Sequence, residues 1–194
     1  MIEIDHRLKP SVYGVGYRGI GKYISSNKSY KIWQSMLQRC YDPKYHKTKP
    51  SYIKCEVHQE WHNFQNFAKW FEKRYTVEKM LGWALDKDIL IKGNRIYSPE
   101  ACCLVPLEIN SLFIKSGKSR GKYPIGVTKS GKKFRARFGK DRDHLGIFNT
   151  PEEAFQVYKI AKEIYIKEIA YKWRSKITEA CYSALINYQV EITD

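Results

Sequence analysis

Apolar residues recur at helical spacing twice in the first half of the chain. Tyr30, Trp33, Met36, Leu37 and Cys40 mark one face of a helix, with Ser29 as its expected N-cap. Tyr41 to Ser51 reads as a loop broken by Pro43 and Pro50. Trp61, Phe64, Phe67, Ala68 and Phe71 then mark a second helix starting near Glu60. At that spacing an aromatic stripe fits a core better than a stacking platform for bases. The period then shortens. Ala84 to Asp88 predicts a strand, Gly93-Asn94 a turn, and Cys102 to Val105 a second strand. Pro106 stands at the first position of a helix, where proline is tolerated, and Leu107, Ile109, Asn110 and Phe113 continue it.

Residues 115–122 carry glycine, serine and charge without an apolar side chain, so they predict a linker. Tyr123 to Thr128, Lys133 to Gly139 and His144 to Phe148 predict three short antiparallel strands. In the middle strand Arg135 and Arg137 alternate with Phe134, Ala136 and Phe138, giving one basic and one apolar face. Thr150-Pro151-Glu152-Glu153 has the capping-box spacing of a helix start. Ala154, Val157, Tyr158, Ala161, Ile164 and Tyr165 are the expected buried stripe of that helix. Helical pattern resumes through Ile177, Cys181, Ala184 and Leu185.

The expected class is therefore α+β, in two modules. Residues 1–28 form a flexible basic arm rich in glycine and aromatics. Residues 29–114 form a first domain, 115–122 the linker, and 123–194 a sheet packed on a helix with a C-terminal helical extension.

Hydrophobic residues at 43% and aromatics at 14% exclude a wholly disordered chain. The formal net charge of +15 changes the picture more. Like charges repel in a compact state, so such an excess favours a polyanionic partner, of which nucleic acid is the commonest. No apolar run is long enough to span a bilayer, and no signal peptide opens the sequence; no membrane partner and an intracellular location are expected. Five cysteines, an odd number, argue for reduced thiols. Cys55 and His58 have ligand-like spacing, and Cys40 and Cys102 would complete a tetrahedral zinc set; buried cysteines acting as small hydrophobes are the favoured reading.

The segment from Trp83 to Phe113 carries the candidate chemistry. Cleaving a phosphodiester needs an activated water, stabilised charge on phosphorus and a departing oxygen. A divalent cation on hard oxygen ligands serves the last two. Asp86 offers a carboxylate and Asn110 a carbonyl oxygen for Mg2+ or Mn2+, with a strand–loop–strand–helix to bring them together. Lys87 follows the acid. With an ordinary pKa near 10.4 it is a poor base, but as a cation it suits holding a phosphate or the attacking water. His58 and His62 are the nearest substitutes for a base.

The stretch from Leu85 to Asn110 resembles the HNH endonucleases, in particular phage-borne and homing-type members. Trp33, Met36, Arg39-Cys40-Tyr41, Trp61, Phe64 and Tyr97-Ser98-Pro99-Glu100 before Cys102 extend the resemblance over about half the chain. It implies a ββα-metal module, with Asp86 and Asn110 as ligands, and a phage protein in the cytoplasm of a bacterial host. Two positions depart from the motif: Lys87 replaces the general-base histidine, and the middle asparagine that braces the loop falls at Ala101.

Residues 123–162 resemble the ethylene-response-factor type of DNA-binding domain. Gly126-Val127, Phe134, Ala136, Leu145-Gly146, Phe148, Thr150, Glu152-Glu153-Ala154, Tyr158 and Ala161 carry the likeness. It implies a three-stranded sheet lying in the major groove of double-stranded DNA. Lys129, Lys132, Lys133, Arg135, Arg137, Lys140 and Arg142 are then the candidate contacts. Arginine reads guanine in bidentate fashion, so Arg135 and Arg137 are assigned to bases and the lysines to phosphates. The strand tryptophans of that family are absent, so its sequence preference does not transfer. The expected function is metal-dependent nicking or cleavage of DNA at a site chosen by the second module. The rival is a DNA-binding protein without catalysis, regulatory or directed against a host system. RNA is a weaker third partner.

Overall fold

The computed structural model describes residues 5–76, 82–113, 122–139 and 143–194. The fold is a mixture of helix and sheet, α+β, and divides into two compact units, Met1–Pro106 and Leu107–Asp194. The division lies between Pro106 and Leu107; of the expected linker only Lys122 is among the described residues.

In the first unit α1 spans Lys28–Tyr41 and buries Trp33, Met36, Leu37 and Cys40, the stripe read from the sequence. Its N-cap position is Asn27, and Ser29 is buried inside the first turn. The expected loop after it is folded. Pro43 starts a short helix, α2 (Pro43–Thr48), and Pro50 a 3-10 turn (Pro50–Tyr52). Both prolines sit at helix starts, where the missing N–H has no partner to lose, so they initiate rather than break. Strand β1 is Glu56–Val57. A 3-10 turn, Gln59–His62, precedes α3 (Phe64–Glu72), whose Asn63 side chain accepts from the Gln65 amide. The second helix thus begins four residues later than expected.

The aromatic stripe is core. Trp33, Trp61, Phe64 and Phe67 are fully buried, with Trp61 4.8 Å from Trp70 and 5.0 Å from Phe67 between ring centroids. Strand β2 (Ala84–Asp86) pairs antiparallel with β4 (Cys103–Val105), placing Asp86 opposite Cys103. Strand β3 (Ile96–Tyr97) lies between them in sequence and pairs parallel with β1.

The arm is not free. Gly16 packs where a Cβ would stand 2.4 Å from Leu37 Cδ1, so a side chain there would push the segment off α1. Tyr17 donates its amide to His62 O, and Phe64 donates to Tyr17 O. Gln65 Nε2 donates to the carbonyls of Arg18 and Tyr23, and Tyr23 N donates back to Gln65 Oε1. The Gly-and-aromatic composition reads as flexible by itself; here it is what lets the backbone lie flat on two helices.

The second unit opens with α4 (Leu107–Ser111). Its sheet has the order β5-β6-β7: Val127–Ser130, Lys133–Phe138 and Asp143–Phe148, antiparallel throughout. Helix α5 (Pro151–Trp173) carries the expected capping box between Thr150 and Glu153. It buries Ala154, Phe155, Tyr158, Ile166, Ile169 and Ala170, while Ile164 and Tyr165 are exposed. The expected stripe lies to one side of the buried face from its start: Val157, Ala161 and Ile164 point beside that face on a 3.6-residue helix, and Phe155, outside the stripe, points into it. Helix α6 (Glu179–Ile186) packs against α5 through Cys181 and Leu185. No helix among the described residues is long and apolar enough to cross a membrane.

The Asp86 loop and the basic sheet face

Asp86 closes β2. Its Oδ1 accepts from the backbone amides of Asp88 and Ile89 at 2.7 and 2.8 Å, an Asx turn that folds the chain sharply after the strand. Burial raises its pKa above the ordinary carboxylate value, and the two amides and Lys87 pull the other way. With Oδ1 so engaged, a cation would have to be met by Oδ2.

Lys87 is buried, 8% exposed. Its ammonium donates to Asp88 Oδ1 and, at 2.8 Å, to the carbonyl of Asn94, with the Tyr97 ring 5.9 Å away. The side chain expected to hold a phosphate or water is turned into the loop instead. A buried ammonium must satisfy its donors, and the nearest acceptors are in its own loop.

Asn94 braces the loop that follows β2. Its Nδ2 donates to the carbonyls of Lys87 and Ile96, at 2.8 and 2.7 Å, and its Oδ1 accepts from Ile96 N. Gly93-Asn94 signals a turn in the sequence; that the amide also ties both ends of the loop is a tertiary fact. Asn94→Ala is expected to cost about 2 kcal/mol, from three lost hydrogen bonds of about 1 kcal/mol each partly replaced by water. Urea unfolding of wild type and variant measures it.

Asn110 lies on α4, half-buried, in the second unit. His62 is engaged through Nε2 with Val57 O at 3.1 Å, and His58 is exposed. Cys40, Cys55 and Cys102 are interior thiols. Burial pushes Cys40 and Cys102 up to about 12 and raises Cys55. Among the described residues no three or more His, Cys, Asp or Glu side chains are grouped to hold a metal ion. At the end of β2, Asp88 is paired with Lys87, so Asp86 is the carboxylate that the Asp86–Asp88 turn could offer to a hard cation.

The sheet face of the second unit is better formed. Ala136, fully buried, and Phe138, which meets Tyr158 and Tyr165 edge-on, face α5. Alternation sends Lys133, Arg135 and Arg137 to the other side. Register places Ser130 opposite Lys133, Thr128 and Ile147 opposite Arg135, and His144 opposite Arg137. An extra residue in β7 makes a bulge beside Ala136 and Arg137. Arg135 Nη2 donates to Ser130 Oγ at 3.0 Å. The Nε atoms of Arg135 and Arg137 are buried and have no hydrogen-bond partner among the described residues.

The lysines divide. Lys133 lies on the arginine face. Lys132 is exposed in the two-residue turn between β5 and β6. Lys129 is exposed but pairs with Phe134, so it belongs to the face that looks toward α5, not the one that carries the arginines. The sequence period alone does not reveal this, because the face of β5 is fixed only by its register with β6. Lys140 and Arg142 lie outside the described residues.

Comparison with known protein families, with curated proteins and with solved structures found no match to this chain.

Proposed function

We propose that the protein binds double-stranded DNA through the outer face of the β5-β6-β7 sheet. The observation that carries this reading is the row of cations, Lys133, Arg135 and Arg137, that alternation along β6 places on the sheet face turned away from α5. On such a face an arginine can offer its terminal N–H groups to a guanine edge in bidentate fashion, or to a phosphate. Lys133 and Lys132 flank the arginines as phosphate grips, and exposed Ile147 offers apolar contact to a thymine methyl. The net charge of +15 and the ethylene-response-factor-like pattern of residues 123–162 support the same partner.

Fluorescence anisotropy with labelled duplexes across a salt series tests it. Binding should weaken with a log–log slope of at least about −4 if about five basic side chains engage phosphates. Structured RNA outcompeting duplex DNA at equal salt, or no binding to any duplex, would overturn the reading.

Metal-dependent cleavage by the first unit is the second reading. It is favoured by a half-buried acid with a raised pKa, held at a strand end by a turn that fixes its direction. Supercoiled plasmid incubated with Mg2+ or Mn2+ decides. Nicking by wild type and not by Asp86→Ala establishes an endonuclease; no nicking by either leaves DNA binding alone.

A further inference from the structure

We infer that the first unit carries its own DNA-backbone grip, on the lobe formed by α2 and the 3-10 turn that follows it. Between Pro43 and Cys55 the chain holds Lys44, Lys47, Lys49 and Lys54 and no acidic residue. All four lysines are exposed, and none has an ion-pair partner among the described residues. The bounding acid, Asp42, is occupied as the cap of α2, accepting from Lys44 N at 2.8 Å.

The lobe is a firm platform. Lys49 N donates to Tyr45 O, Tyr52 N to Lys49 O, Ile53 N to Pro50 O and Cys55 N to Tyr52 O. Tyr45 and Tyr52 meet edge to face at 5.9 Å, and the Arg39 guanidinium lies 5.9 Å from the Tyr52 ring centroid. His46 Nε2 contacts Arg39 O at 2.9 Å, tying the lobe to α1. Like charges crowded on a rigid support repel one another, and a phosphate backbone relieves that repulsion by taking the place of their counterions. Lysine suits the task, being a compact point charge on a flexible stem that grips phosphate without reading sequence. Ile53, 58% exposed beside Lys54, adds an apolar contact for a deoxyribose. This grip is separate from the sheet and contributes strength rather than selectivity.

The inference rests on DNA being the partner, and the experiment separates the two claims. Four proteins are compared by salt-series anisotropy on matched and scrambled duplexes. They are wild type, the lobe set (Lys44→Gln, Lys47→Gln, Lys49→Gln, Lys54→Gln), the sheet pair (Arg135→Gln, Arg137→Gln), and a charge-matched control set (Lys9→Gln, Lys31→Gln, Lys69→Gln, Lys73→Gln). The control lysines are exposed elsewhere on the first unit. The lobe set is expected to flatten the log–log slope by about 3 to 4 and to weaken both duplexes alike, on the order of 1000-fold near 0.1 M salt. The sheet pair should erode the preference for the matched duplex instead. If the lobe set keeps the wild-type slope, or the control set flattens it equally, the lobe grip is overturned while DNA binding stands. If wild type binds no duplex, the functional proposal falls and this one with it. If the lobe set loses structured RNA but not duplex DNA, the lobe serves RNA and the inference as stated fails. Melting of the lobe set at the wild-type temperature confirms that the exposed substitutions left the fold intact.

Discussion

The double variant Arg135→Gln, Arg137→Gln is expected to bind its preferred duplex about 100- to 1000-fold more weakly, because two bidentate base contacts are each worth about 1–3 kcal/mol. The loss should be concentrated on that duplex, so that matched and scrambled sequences bind almost equally. Stability should move the other way or not at all. Both side chains lie on the outer face of β6, and the buried Nε of each meets no acceptor among the described residues. Removing an unmet donor relieves a penalty. A variant that binds less and melts no lower than wild type would match. An equal loss on matched and scrambled DNA would mean that the arginines hold phosphates only. Loss of the fold would mean that they brace the sheet.

Gly126→Ala should destabilise the second unit by about 3 kcal/mol, adding about 1–2 kcal/mol for a left-handed backbone to about 1–3 kcal/mol for overpacking. The glycine has φ +77°, and an ideal Cβ would lie 2.0 Å from Tyr158 Cδ2. The Tyr158 ring is buried and meets Phe138 edge to face, so moving it disturbs the packing of the helix on the sheet. The Gly126 carbonyl also accepts from Arg137 N at 2.8 Å, so displacing it would disturb the strand that carries the arginines. Gly131→Ala is the matched control. Its φ is +62°, but nothing lies within 4 Å of a Cβ there, so only the backbone cost of about 1 kcal/mol applies. Chemical denaturation of both variants reads the difference. Equal costs at the two positions would show that the ring yields.

What the sequence disclosed follows from which signals are local. The capping box at Thr150 and the alternation of Phe134, Arg135, Ala136 and Arg137 depend on neighbours one to three positions apart, and the structure has both. The stripe Trp33, Met36, Leu37, Cys40 depends on one helix period and is likewise present. Features that need a second segment were hidden. Lys129 reads as a partner of the arginines until its pairing with Phe134 is known. Lys87 reads as a cation for a phosphate or a water until Asp88 and the Asn94 carbonyl are seen around it. The bracing by Asn94 has the same character, since its partners at 87 and 96 meet only once the loop closes. Pro43 and Pro50 show the limit of breaker signals, because proline ends one helix and begins another with equal readiness.

The clasp of the opening segment on α3 sets the order in which the first unit can be completed. Its hydrogen bonds join Arg18, Lys22 and Tyr23 to Gln65 and Glu72, partners 42 to 50 positions further along. On the ribosome those early residues emerge well before anything exists for them to hold. Contacts of such long reach slow folding, since a large loop must close before they return any stabilisation. Nascent chains arrested before Gln65 should therefore leave residues 5–27 open to protease, and chains released past Glu72 should protect them.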